Sequence, residues 1–196
     1  NNATVTIISD DANVARITAT DATAAESNGA VATGEFTISL SAPNNTGSSI
    51  TVNYTVGGTA LNGTDYTAIS ANAINIPPGE QSVPILISPT NDVIQEGAET
   101  VIITLASGSS YVLGTTATRT ATVNINDNDQ ATLTVSNVTV NEDVSSGQLV
   151  FNVVLNIAVV GGTTVSYSFF DDTAIGGGTD YTGTPGTLIF TGTANE

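Results

Sequence analysis

Val83–Pro84–Ile85–Leu86–Ile87–Ser88–Pro89–Thr90–Asn91–Asp92–Val93–Ile94–Gln95–Glu96–Gly97–Ala98–Glu99–Thr100–Val101–Ile102–Ile103–Thr104–Leu105 reads as two β-strands with an acidic turn between them. Val83, Ile85 and Ile87 alternate with their neighbours before the turn, and Val101, Ile103 and Leu105 do so after it. Alternation of period two sends such side chains to one face of a strand. The connecting Asn91–Thr100 carries Asp92, Glu96 and Glu99 with the amide of Asn91, around Gly97. A tight turn loaded with oxygen donors points to a hard-cation site.

The same alternation extends in both directions. Phe36, Ile38 and Leu40 show it, as do Ile50, Val52, Tyr54 and Val56, then Ile74 and Ile76, and later Ala121, Val123 and Ile125. Pro43–Asn44–Asn45, Asn62–Gly63, Pro77–Pro78–Gly79 and Gly108–Ser109–Ser110 separate these runs and carry turn chemistry. No stretch shows helical periodicity. With a first strand near Val14–Thr20 the count reaches seven short strands. The fold class is therefore all-β, an immunoglobulin-like seven-stranded antiparallel β-sandwich.

Composition narrows the chemistry. The 196 residues include no Cys and no His, and therefore no disulfide framework, thiol chemistry or imidazole proton shuttle. The cations are Arg16 and Arg119, set against 18 acids for a net charge of -16. Nucleic acid is excluded as a partner because nothing neutralises phosphates. An anionic membrane surface is disfavoured for the same reason. No apolar run approaches a membrane span, so direct membrane insertion is not expected, and no signal peptide opens the chain.

The chain also repeats itself. Asn62–Gly63–Thr64–Asp65–Tyr66–Thr67 returns as Gly177–Gly178–Thr179–Asp180–Tyr181–Thr182, Glu26 as Glu142, and Ala3–Thr4–Val5–Thr6–Ile7 as Ala121–Thr122–Val123–Asn124–Ile125. The offsets, 115, 116 and 118 residues by those numbers, set the module length. Residues 1–11 read as the last strand of a preceding module, residues 12–129 as a complete module and residues 130–196 as the N-terminal part of another. The arrangement is thus one of tandem sandwiches, one complete and one partial. A partial sandwich exposes its core and an edge. The expectation is a window onto a longer array, the alternative being strands donated by another chain.

Several ordered motifs resemble the Calx-β domain family. They are Asp65–Tyr66–Thr67 after its turn, Ile76–Pro77–Pro78–Gly79–Glu80, Asn91–Asp92 with Glu96–Gly97–Ala98–Glu99–Thr100, and the closing Ala121–Thr122–Val123–Asn124–Ile125–Asn126–Asp127–Asn128–Asp129. The family is known from regulatory domains of sodium–calcium exchangers, from integrin β4 and from long bacterial surface proteins. The resemblance implies Ca²⁺ as cofactor, held by loops at one end of a seven-stranded sandwich. Its ligand pattern falls on Glu26, Asp65, Asn91, Asp92, the backbone carbonyl of Ile94, Glu96, Glu99, Asp127, Asn128 and Asp129. Asn91 and Asn128 stand where fully occupied members tend to have aspartates, which implies fewer or weaker ions. In the partial module only Glu142 and Asp180 match.

The residues support metal on their own. Seven of the ten acids in residues 12–129 fall on those positions, at strand ends or in loops that a sandwich can gather at one pole. Like charges ~4 Å apart repel by about 1 kcal/mol in water and by more in a less polar site. Such a cluster, without Lys or His, resists folding unless cations bind. Oxygen-only donors in a loose set suit Ca²⁺ better than Mg²⁺. Taken singly, each acid is as readily a solvated surface charge, and Tyr66 reads as a packing residue. The Asn-x-Thr sequons at Asn2, Asn44, Asn53, Asn62 and Asn137 are what an Asn- and Thr-rich composition produces.

Catalysis has little support, since Ser and Thr lack a His or Lys base. A carboxylate pair could serve a glycosidase, but no Trp offers a sugar platform. The expected function is a non-catalytic Ca²⁺-binding structural module of a long extracellular repeat protein: a stalk, adhesin or fibre. Ca²⁺ would stiffen its loops and the inter-module junction, where no Gly/Ser linker intervenes after Asp127–Asn128–Asp129. A secreted, bacterial cell-surface location would supply millimolar Ca²⁺. Partners would be neighbouring modules, other copies in a fibre or a cell-surface ligand. The alternatives are a Ca²⁺-sensing regulatory domain and a carbohydrate- or partner-binding module.

Overall fold

A computed structural model describes residues 12–30, 32–141 and 147–192. The expected strand within residues 1–11 and the candidate ligand Glu142 lie outside the described residues. The chain divides into two compact units: residues up to Asn91 with Ala98–Asp127, and Asp92–Gly97 with the residues from Asn128 on.

In the first unit every alternating run forms a strand. In chain order these are β1 (Val14–Asp21), β2 (Thr23–Ala25), β3 (Gly34–Leu40), β4 (Ile50–Gly58), β5 (Ala73–Ile76), β6 (Ser82–Ile87), β7 (Glu99–Leu105), β8 (Val112–Leu113) and β9 (Thr120–Asn126). The short β2 and β8 add to the seven expected. One sheet has the order β6-β3-β1-β8 and the other β2-β9-β7-β4-β5. Ala15, Ile17, Phe36, Ile38 and Leu40 of the first sheet share one buried cluster with Val52, Tyr54, Val101, Ile103, Val123 and Ile125 of the second. Burying these alternate faces against each other gives a sandwich.

Two features depart from a plain antiparallel meander. The β1–β3 register shifts between Ala19 and Asp21, and after Ala22 the chain continues as β2 in the opposite sheet, parallel to β9. Gly34 lies where the sheets come closest, since a Cβ there would meet Val123 Cγ1 at 2.5 Å. In addition, β6 and β7 belong to different sheets, so the expected tight turn over Asn91–Thr100 is a crossover and not a hairpin. Alternation tells which face of a strand is apolar but not which sheet it joins.

Polar side chains fix the connections. The fully buried Asn44 donates from Nδ2 to the carbonyls of Ser48 (2.8 Å) and Ile76 (2.9 Å) and accepts from Thr46 N and Oγ1. Tyr111 O–H donates to the Ala106 carbonyl at 2.6 Å and accepts from Asn53 N at 3.0 Å. Arg119 Nε donates to the Gly114 carbonyl at 2.7 Å.

The second unit contains β10 (Leu133–Val135), β11 (Val153–Leu155), β12 (Thr163–Tyr167) and β13 (Gly186–Phe190). They pair antiparallel as β10–β11 and β12–β13. These pairs copy the first unit: Val165 faces Leu188 as Val52 faces Ile74, and Val135 faces Val153 as Ile17 faces Ile38. Gln95 joins this unit like a strand residue, donating from N to Ala158 O and accepting from Val160 N, both at 2.9 Å. Its side-chain Oε1 accepts from Ala131 N at 2.6 Å.

Candidate metal centre

Strand register brings the carboxylates of the first unit to one pole. Ala25 pairs with Asn126 in the parallel β2–β9 ladder, so Glu26 and Asp127 leave adjacent strands side by side. Glu26 N donates to Asn126 O at 2.9 Å, which holds that exit. Glu99 opens β7 opposite Ile125, at the same end. β4 ends there too, with Gly58 against Val101. A Cβ on Gly58, whose φ is +119°, would lie 2.0 Å from the Thr100 carbonyl, so only glycine permits this approach.

Past β4 the chain turns over Leu61–Asp65. The Asp65 carboxylate accepts from Leu61 N at 2.6 Å and its backbone carbonyl from Thr90 N at 2.9 Å. Asn62 ties the same loop down through both backbone groups of Ile69. Within this unit, ligand oxygens of Glu26 and Asp127 lie within 4.8 Å of each other, as do those of Asp65 and Glu99. Glu26 and Asp65 are buried, and Glu99 and Asp127 are half-buried.

The other predicted residues distribute as follows. Asn91 Nδ2 donates to Asn28 Oδ1 at 3.2 Å. Asn28, two residues after Glu26, was not singled out by its sequence; an Asn following the acid at the end of β2 is the only signal there. Asp92, Ile94, Glu96, Asn128 and Asp129 are counted with the second unit. There Asp92 Oδ1 accepts from Ile94 N at 2.8 Å, a local Asx turn. Asp180 sits in its own copy of the Asp65 turn, accepting from Ile175 N at 2.8 Å. The backbone bond Gly178 N to Tyr181 O (3.0 Å) repeats Gly63 N to Tyr66 O (3.1 Å).

Tyr66, beside Asp65, is as buried as expected of a packing residue, but its hydroxyl finds no hydrogen-bond partner among the described residues. Burial, and to a lesser extent the Asp65 charge, pushes its phenol pKa up.

The donor set fits a hard divalent cation. Every candidate donor is oxygen, and two ligands on one Ca²⁺, each 2.3–2.6 Å from it, stand up to about 5 Å apart. Paired carboxylates in a chain with 2 cations and 18 acids have few other sources of positive charge. Glu26 with Asp127 and Asp65 with Glu99 would hold the ion, which would supply the charge their mutual repulsion lacks.

The model of the Calx-beta domain family matches residues 9–129 and again 126–196. No curated protein matches the chain. Among solved structures, CBD12 from CALX1.2 is 26% identical with a TM-score of 0.43, over 88% of this chain and 69% of that one. The calcium binding domain CBD12 of CALX1.1 is 24% identical at TM-score 0.45, over 92% and 72%. The apo-form Calx CBD1 domain is 22% identical at TM-score 0.45, over 61% of this chain and the whole of that one. At these scores the likenesses carry no weight, and the domain matches alone assign the chain.

Proposed function

The chain belongs to the Calx-beta domain family, and from that premise we propose that it is a structural module of an extracellular repeat protein whose stiffness depends on bound Ca²⁺. Calx-beta domains are non-catalytic Ca²⁺-binding modules, and the carboxylate pairs of the first unit carry the assignment here. Glu26, Asp65, Glu99 and Asp127 are the primary ligands. Glu96, three residues before Glu99, and Asp129, two after Asp127, are the sequence's candidates to complete each pair, with Asp92, Asn91, Asn128 and the Ile94 carbonyl in reserve.

The bound ion would neutralise carboxylates that otherwise repel across the strand ends. With it in place, Glu26 and Asp127 clamp the exits of β2 and β9, while Asp65 and Glu99 clamp the Leu61–Asp65 turn to the start of β7. No Cys is available for a disulfide and no Lys for an isopeptide staple, so a metal cross-link is what remains to stiffen the module. The two matched domains, the internal repeat and the strongly acidic composition support a tandem extracellular array. Among the described residues no helix is long and apolar enough to cross a membrane.

Calorimetric melting of the full chain in millimolar Ca²⁺ and in excess chelator tests this reading. Filling one site to 100 times Kd adds ~2.7 kcal/mol. A first-unit transition that rises with Ca²⁺ in the native chain, but not in Glu26→Gln/Asp127→Asn or Asp65→Asn/Glu99→Gln, is the expected result. A transition indifferent to Ca²⁺ sinks the proposal.

A further inference from the structure

We propose that the apolar face of the second unit is a strand-accepting surface, and that its occupant is an extended strand of the β7 kind from another Calx-beta module. Leu133, Val135, Phe151, Val165, Tyr167 and Leu188 line an open groove of about 580 Å³ on this face. Val135 is 62% exposed, Phe151 50% and Tyr167 42%. An apolar surface of this kind marks an interaction site.

The same chain shows what such a face binds. β12–β13 repeats the register of β4–β5, placing Val165 and Tyr167 where the first unit has Val52 and Tyr54. In the first unit the other edge of β4 is taken by β7, antiparallel, from Tyr54 opposite Leu105 to Gly58 opposite Val101. That strand brings Val101, Ile103 and Leu105 onto the core, and Val52 and Tyr54 become buried. β12 lies in a two-stranded sheet with β13, and among the described residues nothing pairs with its other edge. An open edge with an apolar face accepts a strand by backbone hydrogen bonds, and its pockets select alternate side chains. The occupant is thereby specified: antiparallel to β12, with Val, Ile or Leu at alternate positions, a branched residue opposite Tyr167, and little positive charge required.

The test uses the full chain and a dye-labelled peptide with the Ala98–Ala106 sequence, carrying two added lysines at each end for solubility. The expected result is saturable binding that slows amide exchange along Thr163–Tyr167. A control peptide with threonine at the positions of Val101, Ile103 and Leu105 should bind at least tenfold more weakly. Val165→Asp in the chain should weaken binding at least tenfold, as should Phe169→Asp, an exposed change that leaves folding intact. Ile189→Asp, on the strand face turned away from the groove, should leave it unchanged. No binding, equal binding of the control peptide, or insensitivity to both groove variants overturns the proposal. Concentration-dependent self-association that excludes the peptide also overturns it, because the occupant is then a second copy.

Discussion

Phe36 of the first unit and Phe151 of the second occupy equivalent places in Phe36-x-Ile38-x-Leu40 and Phe151-x-Val153-x-Leu155. Phe36 is 0% exposed and Phe151 is 50% exposed. Leu40 and Leu155 are both buried, so the two strands begin alike at that end and diverge along their length. The difference lies in what covers them. Phe36 has β6 on the far side of its strand and the β4, β7 and β9 sheet across the core, whereas β11 has β10 alone as its strand neighbour. Local pattern is enough to make a strand and set its register. Burial needs the opposite sheet as well, and with it comes most of the stability.

The largest test of that contrast is truncation. Phe36→Ala should cost ~3–5 kcal/mol, the range for emptying a packed aromatic site. Phe151→Ala should cost under about 1 kcal/mol, because much of its surface is in water already. Equal costs in urea unfolding, read by amide exchange in each unit, would break the comparison.

A smaller effect is expected at Tyr111, whose hydroxyl links the Ala106 carbonyl to Asn53 N. Tyr111→Phe should cost about 1 kcal/mol in the first unit and leave exchange rates in the second unchanged.

Tyr66 and Tyr181 sharpen the contrast further, being the same residue in two copies of one turn. The Tyr66 hydroxyl is buried without a partner, so Tyr66→Phe should be neutral or stabilising by up to about 1 kcal/mol. Burial, then Asp65, raises the Tyr66 pKa. The neutral phenol is therefore favoured by folding. Stability is full below the unfolded value of about 10 and falls as pH rises through the folded pKa, a loss the Phe variant should lack.

Tyr181 instead donates to Asp171 Oδ1 at 2.7 Å at the surface. That bond, with one from Gly176 N, lowers the Asp171 pKa. Its contribution is present above the unfolded carboxylate pKa and fades as pH falls through the folded one. Tyr181→Phe should move the Asp171 titration, followed by NMR, back towards the ordinary value with little change in melting.

Much of this was legible in the sequence, for identifiable reasons. Period-two runs such as Phe36–Leu40 and Val101–Leu105 gave the strands and their inward faces, because only an apolar face can be buried. The repeat of Asp65–Tyr66 as Asp180–Tyr181 gave two copies of one turn. Sheet membership was not legible: β6 and β7 look like a hairpin, yet they separate. Nor was the shift near Ala19 and Asp21, which carries the chain into β2 and lays Glu26 alongside Asp127. Both depend on packing between residues far apart in sequence. The acids could be picked out as ligand types, but which of them pair is decided by the parallel ladder Ala25–Asn126 and the antiparallel ladder Glu99–Ile125.

Calcium titration calorimetry on the full chain, beside the Glu26→Gln/Asp127→Asn and Asp65→Asn/Glu99→Gln variants, tests the metal assignment most directly. Saturable Ca²⁺ binding by the native chain, with stoichiometry reduced in each variant and both variants still folded, is the predicted result. Folded variants that bind Ca²⁺ with native stoichiometry and affinity, or a native chain that binds none, would contradict it.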